Sequence, residues 1–163
     1  MRPLRSRAIV ALLALPLFLV GALQAGAQGD EHEHDPFAGV TIEALGGGEP
    51  GNTPGQTLAL LRITMEPGAS IDAHGHPGAV TLHVESGVFG TEFVEGNGVI
   101  TRAADAGTPA PTEEAATGQE LTLESGDSLF YQDARHTMAN TGDAPLVLLV
   151  SALLDSEEPG FVF

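Results

Sequence analysis

Two histidines separated by one residue, His74 and His76, precede an alternating run of apolar and polar residues in the stretch DAHGHPGAVTLHVESG (72–87). Side chains two positions apart lie on the same face of a β-strand, so both imidazoles should point the same way. Neutral imidazoles placed in this way can share a divalent metal ion. A lone H-x-H pair is also common on exposed strands, so a metal site requires a further ligand from elsewhere in the chain.

The nearest third histidine, His83, belongs to the alternating stretch VTLHVE (80–85). Val80, Leu82 and Val84 form the apolar face of this predicted strand, which should pack on the core. His83 lies on the opposite face. We therefore expect His83 to be a surface residue rather than a metal ligand.

A more distant histidine, His136, opens the stretch RHTMAN (135–140), between the turn-like sequences QDAR and NTGD. His136, Met138 and Asn140 share one face of this predicted strand. A histidine at the start of a strand is more often structural than functional. His136 therefore becomes a candidate ligand only if the fold brings it to the H-x-H pair.

Other polar residues offer weaker candidates. Asp72 and Asp133 could accept a hydrogen bond from an imidazole N–H, but both are also typical turn caps, which we favour. Arg62 could meet an anionic ligand, although an exposed or ion-paired arginine is the simpler interpretation in so acidic a chain. The segment DEHEHD (30–35) could collect metal ions from solution, or it could be a solvated polar tail.

Short β-strands must hold these side chains, because no stretch after residue 38 combines a helical apolar period with caps. Apolar runs of strand length recur between clusters of Gly, Pro, Asn and Asp, and we count about nine between residues 40 and 154. This pattern predicts an all-β sandwich or barrel, and a two-sheet jelly roll suits the length. The sequence GNG (96–98) predicts a tight hairpin, and the low-complexity stretch 104–118 predicts a loop or a disordered insertion.

The composition narrows the classes of function. The chain has 163 residues and contains neither cysteine nor lysine, so disulfides and thiolate ligands are excluded. Twenty-two acidic residues and three arginines after residue 27 give that part of the chain a formal charge of −19. Such a surface repels nucleic acid and anionic lipid headgroups, so we expect neither as a partner. Stretches typical of a serine nucleophile elbow, a phosphate loop or a dinucleotide fingerprint do not occur.

The N-terminal 27 residues have the features of a cleavable secretory signal peptide. Three arginines precede an apolar run from Ala8 to about Leu23, and AGA (25–27) is a suitable cleavage site. The alternative is an uncleaved membrane anchor, but the run is short and contains Pro16. We predict cleavage after Ala27, a flexible acidic tail over 28–38, and one domain over 39–163. The mature protein should be secreted or periplasmic, without stable membrane association.

The landmarks between residues 56 and 154 resemble the two motifs of the cupin superfamily. The first motif contains a glycine, an H-x-H pair, a glutamate and a closing glycine, and its matching residues here are Gly68, His74, His76 and Gly87. The second motif runs from a glycine through a P-x-G turn to a histidine and an asparagine, and its matching residues are Gly126, His136 and Asn140.

The chain departs from the cupin motifs at two places. Seven positions before Gly87, where the family has its glutamate, this chain has Val80. The apolar alternation independently puts Val80 on the inward face, so the usual carboxylate ligand is replaced by an apolar side chain. The P-x-G turn is replaced by Tyr131, Gln132 and Asp133.

The resemblance implies a single-domain double-stranded β-helix, or jelly-roll barrel, with a divalent metal ion on His74, His76 and His136. Three imidazoles with open positions suit Fe, Zn, Mn, Ni or Cu. Without the glutamate the site carries one more positive charge, which favours an anionic or enolisable small substrate and dioxygenase-like chemistry.

A metal-free cupin that binds or carries a small ligand is the alternative, so the choice between an enzyme and a binding module stays open. The sequence assigns no catalytic residue and no organic cofactor. Because many cupins pair through edge strands, the resemblance also implies a possible homodimer, with VTIEAL (40–45) as a candidate edge.

Overall fold

The computed structural model describes residues 35–104 and 108–163, and its secondary structure consists of β-strands. The predicted signal peptide (1–27) and most of the predicted tail (28–38) lie outside these ranges. Within the described ranges no helix is long and apolar enough to cross a membrane. The strands are β1 (Val40–Gly48), β2 (Gln56–Met65), β3 (Ser70–Gly75), β4 (Gly78–Ser86), β5 (Val88–Glu95), β6 (Gly98–Thr101), β7 (Thr112–Ala115), β8 (Glu120–Glu124), β9 (Ser128–Gln132), β10 (Arg135–Asn140) and β11 (Leu146–Asp155).

The strands form two antiparallel sheets that share one core. The larger sheet has the order β1-β2-β11-β4-β9-β6-β7, and the smaller has the order β3-β10-β5-β8. Buried apolar side chains from both sheets belong to one cluster, for example Leu82 on β4 and Phe89 on β5. The all-β jelly-roll architecture predicted from the sequence is therefore confirmed.

Strand alternation decides which side chains enter this core. On β4 the residues Val80, Leu82 and Val84 are buried, whereas Thr81 and Glu85 are exposed. On β10 the residues buried are those that share parity with His136. Because the sequence alternates cleanly in both strands, the predicted inward faces are confirmed.

The predicted hairpin at GNG (96–98) is wrong. β5 pairs with β8 and β10 in the smaller sheet, whereas β6 pairs with β7 and β9 in the larger one. The glycines therefore turn a corner between sheets. At Gly98 a Cβ would lie 2.8 Å from the Phe130 carbonyl oxygen and 2.9 Å from the Phe93 ring, so this close approach requires glycine.

The segment predicted as a loop (104–118) contains a strand, β7, which lies at the edge of the larger sheet. Its sequence, TEEA, has little strand propensity, so only the pairing with β6 selects this conformation. Arg102 links β7 to the turn between β8 and β9. Its guanidinium donates to the carboxylate of Glu113 on β7 and to that of Asp127 in the turn.

Asp127 is the buried centre of this network. Its carboxylate accepts hydrogen bonds from the amides of Ala103 (2.8 Å) and Glu124 (3.0 Å) and from Arg102 (2.7 Å). Burial alone would raise the pKa of Asp127, but the hydrogen bonds from the Glu124 amide and from Arg102 outweigh it and lower that pKa. The carboxylate is thus held ionised where β6, β8 and β9 meet.

Candidate metal centre

The structure brings together the three histidines that the motifs single out. His74 lies near the end of β3, His76 follows just after that strand, and His136 lies directly opposite His74 on the neighbouring β10. Their rings are close, with centroids 4.7 Å apart for His74 and His136 and 5.0 Å apart for His74 and His76. One nitrogen from each ring lies within 4.8 Å of the other two. Residues far apart in the chain therefore form one cluster.

His74 is oriented as a metal-binding imidazole is. Its Nδ1 lies 2.8 Å from the carbonyl oxygen of Asp72, and because a carbonyl can only accept, Nδ1 carries the proton. Nε2 must then present a lone pair. That atom is buried and has no hydrogen-bond partner among the described residues. An unpartnered buried acceptor is rare in a protein interior, and a metal ion would satisfy it.

A β-bulge produces this arrangement. His136 pairs with His74 and Met138 pairs with Ile71, so β3 has one residue more than β10 over the same span. The bulge leaves the Asp72 side chain exposed while its carbonyl oxygen meets the His74 ring. Asp72 therefore supports the histidine through its backbone carbonyl oxygen.

His76 is oriented by the C-terminal segment. Its Nδ1 lies 2.6 Å from the carbonyl oxygen of Gly160, so this ring also carries its proton on Nδ1 and presents Nε2 as a lone pair. Val162 holds the segment in place, because it exchanges backbone hydrogen bonds with Gly75 at 2.8 and 3.0 Å. The ring of Phe161 packs on His76 and His74, with centroid distances of 4.9 and 5.1 Å.

A chain of hydroxyl groups sets the tautomer of His136. Thr91 Oγ1 donates to the carbonyl oxygen of Thr137 at 2.7 Å, so it must accept from His136 Nδ1, 3.2 Å away. His136 Nε2 then accepts from the hydroxyl of Tyr131 at 2.9 Å. The lone pair is again on Nε2, but here a phenol occupies it.

All three imidazoles are held neutral by burial. Desolvation lowers the pKa of His74 to about 4, and it also lowers the pKa of His76. Desolvation is also the main reason that the pKa of His136 lies well below its usual value. Repulsion from the charges that His74 and His76 would carry lowers it further. Burial raises the pKa of Tyr131, so its side chain is a neutral phenol. A metal ion would therefore displace no imidazolium proton at neutral pH.

Val80 occupies the place that the sequence predicted for it. Its side chain is 2 % exposed, and it lies directly opposite Tyr131 on the neighbouring strand β9. Val80, Tyr131 and His76 all line one cavity of about 90 Å³. An apolar wall therefore replaces the carboxylate of the cupin motif beside the histidine cluster.

The remaining sequence candidates are supporting or surface residues. His83 lies on the outer face of β4 and contacts the Ser128 hydroxyl, and Arg62 pairs with Glu43 and Glu85, as predicted for both. The Asp133 carboxylate accepts from the Gln132 side chain. Asn140 of the second motif is structural.

The Asn140 amide group donates to the carbonyl oxygens of Met65 (2.9 Å) and Ala144 (2.8 Å), and its own oxygen accepts from the Gly142 amide. These three bonds fasten the end of β10 to β2 and to the following turn. Asn140 thus stabilises the strand that carries His136.

Sequence reasoning missed the residues that orient the rings. Thr91 and Tyr131 could have been proposed from the sequence, because strand alternation places each of them on the inward face of its strand. Gly160 and Phe161 could not have been proposed in this way. They contact His76 through a backbone carbonyl group and an apolar ring, and neither residue type by itself indicates such a contact.

Comparisons with known proteins give similarities of structure alone. No family model matches the chain, and no curated protein matches it in sequence. One similar solved structure is KdgF from Halomonas sp., which is 18 % identical, with 78 % of this chain and 94 % of that chain covered and a TM-score of 0.47. Two further similar structures belong to much longer chains.

Salicylate 1,2-dioxygenase from Pseudaminobacter salicylatoxidans is 13 % identical, with 71 % of this chain and 26 % of that chain covered and a TM-score of 0.46. The Lactobacillus farciminis oxalate decarboxylase, solved as a formate complex, is 16 % identical, with 70 % and 32 % covered and a TM-score of 0.41. The chain thus spans about a quarter to a third of the length of these two enzymes.

Two antiparallel sheets share one core, and the histidines of both motifs meet beside it. The described residues form a two-sheet antiparallel jelly roll, which is the fold that the resemblance to the cupin motifs implied. Within this barrel the three neutral imidazoles form a candidate metal centre.

Proposed function

We propose that this protein is a cupin that binds a divalent metal ion through His74, His76 and His136. One observation carries the proposal. Each ring holds its proton on Nδ1 through a fixed acceptor and so presents an Nε2 lone pair, and one nitrogen from each ring lies within 4.8 Å of the other two. The unpartnered, buried Nε2 of His74 fits a metal ion better than it fits a purely structural histidine.

A divalent ion held there would supply Lewis-acid or oxygen-activating chemistry to a small organic molecule. Each group of the protein has its own task in this proposal. The carbonyl oxygens of Asp72 and Gly160 and the Thr91 hydroxyl orient the rings, and Phe161 shields them from water. Because no carboxylate of residues 35–104 or 108–163 joins the three imidazoles, the bound ion keeps its full charge, which favours an anionic or enolisable substrate. A dioxygenase-like activity is the enzyme class that we propose.

Metal analysis of the purified mature protein tests the proposal. We expect one equivalent of metal per chain in the wild type and less than a tenth of that in His76→Ala. His83→Ala is the matched control, because it removes an imidazole from the outer face of the barrel and should keep the metal. Protein that stays metal-free after incubation with Fe(II), Zn(II), Mn(II), Ni(II) and Cu(II) would refute the metal site.

A metal-free ligand carrier is the second candidate, and one contact favours it. The Tyr131 hydroxyl already occupies the lone pair of His136, and Val80 makes the neighbouring wall apolar. In that case the barrel would bind a small organic molecule without metal. Oxygen uptake with small diketones, phenols or thiols separates the two candidates, since only the metal-dependent enzyme should consume oxygen.

Export is part of the proposal, on the strength of the N-terminal sequence. The basic start, the apolar run and the AGA site predict that the protein is secreted or periplasmic and begins at Gln28. The mass of the protein recovered from its native compartment measures the cleavage point directly. A protein that retains residues 1–27 in a membrane fraction would contradict this expectation.

A homodimer is also proposed, through the edge of the larger sheet. β1 lies at that edge, and Ile42 on β1 and Leu60 on β2 are large apolar side chains that remain exposed. Edge strands with apolar exposure are suited to pairing with a second copy. Sedimentation velocity should show a dimer that Ile42→Lys converts to a monomer.

A further inference from the structure

The cavity beside the histidines has one polar end and a long apolar wall. Its volume is about 90 Å³, and none of the residues that line it carries a formal charge. The polar side chains of its lining are His76 and Tyr131, whose rings lie 6.1 Å apart, and each of these rings also neighbours His136. The polar end of the cavity therefore faces the histidine cluster.

Most of the rest of the lining belongs to the larger sheet, with Met138 added from β10 of the smaller sheet and Gly160 and Phe161 from the C-terminal segment. It includes Ile63, Val80, Leu82, Val150 and Ala152, all buried. Such a wall cannot satisfy a hydrogen-bonding group, so a charged or hydroxylated ligand body would lose its water without compensation. An apolar body, in contrast, gains from leaving water in proportion to the area that it buries.

We propose that the ligand of this site is a short-chain aliphatic carboxylate, with its head at the metal and its tail in the apolar cavity. This inference rests on the proposed metal site, because the ion attracts the anionic head. The tail length follows from the volume. A cavity of roughly 150 Å³ holds the six carbons of benzene, so about 90 Å³ holds about three or four carbon atoms.

Phe161 limits the length from outside. Its ring lines the cavity and packs on His74 and His76, while its neighbour Val162 is fixed to Gly75 by two backbone hydrogen bonds. A longer tail would have to displace this ring or turn back towards the sheet. The site should therefore discriminate by chain length.

Calorimetry on zinc-loaded protein with acetate, propionate, butyrate, valerate, hexanoate and octanoate tests this inference. We expect affinity to rise by about fourfold with each added methylene up to butyrate or valerate and then to fall. Val80→Ala removes two methyl carbons from the wall and should move the optimum one or two carbons longer. Ala152→Val narrows the same wall and should move it shorter.

Leu123→Ala is the matched control, because Leu123 is a buried residue outside the cavity lining and its loss should leave the optimum unchanged. Metal bound in the normal amount, together with carboxylate affinity that is flat or still rising at octanoate, would overturn this inference and leave the metal site standing. Protein that binds no zinc and no carboxylate would overturn both. If one wall variant fails to fold, the other still decides the outcome.

Discussion

Replacing Val80 by glutamate tests the central reasoning about this site, because it restores the carboxylate of the cupin motif at a position that is 2 % exposed. Without metal, the new side chain is an unpaired carboxylate inside an apolar cavity. We expect metal-free Val80→Glu to lose about 3–5 kcal/mol of unfolding free energy, the usual cost of an uncompensated buried charge. Val80→Gln has nearly the same shape without the charge and should lose only about 1–3 kcal/mol.

A bound metal ion should reverse most of this loss in Val80→Glu. The carboxylate would then be a ligand beside the three imidazoles, and its buried charge would be compensated. By linkage, the extra stabilisation appears as tighter metal binding, and about 3–5 kcal/mol corresponds to at least a hundredfold gain in affinity. Val80→Gln should bind metal with nearly the affinity of the wild type.

Guanidinium denaturation followed by circular dichroism, with and without excess zinc, measures both stabilities, and chelator competition measures the affinity. An unchanged slope of free energy against denaturant would show that the folded state stays comparable among the variants. If zinc stabilises Val80→Glu no more than Val80→Gln, position 80 does not face the metal and the assignment of the motif is refuted.

Three further predictions concern the groups around the site and the acidic network. Tyr131→Phe removes the hydroxyl that occupies His136 Nε2, so chelator competition should show metal affinity about fivefold higher, corresponding to about 1 kcal/mol, and a lower affinity would contradict this account. Burial lowers the pKa of His74 from 6.5 to about 4, so as the pH drops the unfolded chain binds a proton there before the folded protein does. The unfolding free energy of the metal-free protein should therefore fall between about pH 6.5 and pH 4. In denaturation series over this pH window, the unfolding free energy of His74→Asn should fall less steeply than that of the wild type. The difference between the two gives the contribution of the imidazole apart from that of the many carboxylates. Asp127→Asn weakens the bond to Arg102 and should cost about 2 kcal/mol of unfolding free energy, whereas the exposed Asp143→Asn should cost almost nothing in the same denaturation assay.

Much of the fold was predictable because strand period and turn chemistry are local. The alternation of apolar and polar residues predicts that Val80, Leu82 and Val84 face inward. The same alternation predicts that His83 faces outward. The corner at Gly98 was not predictable, because a glycine-rich turn serves equally well for a hairpin and for a passage between sheets. Strand β7 was missed for a similar reason, since its pairing with β6 rather than its own sequence makes it a strand.

The sequence by itself determined which three histidines to consider and which carboxylate is absent. Those conclusions need only residue spacing, strand parity and the resemblance of two motifs. The contacts that orient the rings depend on the tertiary structure. The bulge at Asp72, the Gly160 carbonyl and the Tyr131 hydroxyl act through pairings between strands or segments distant in sequence, and their register arises only when the two sheets pack around one core.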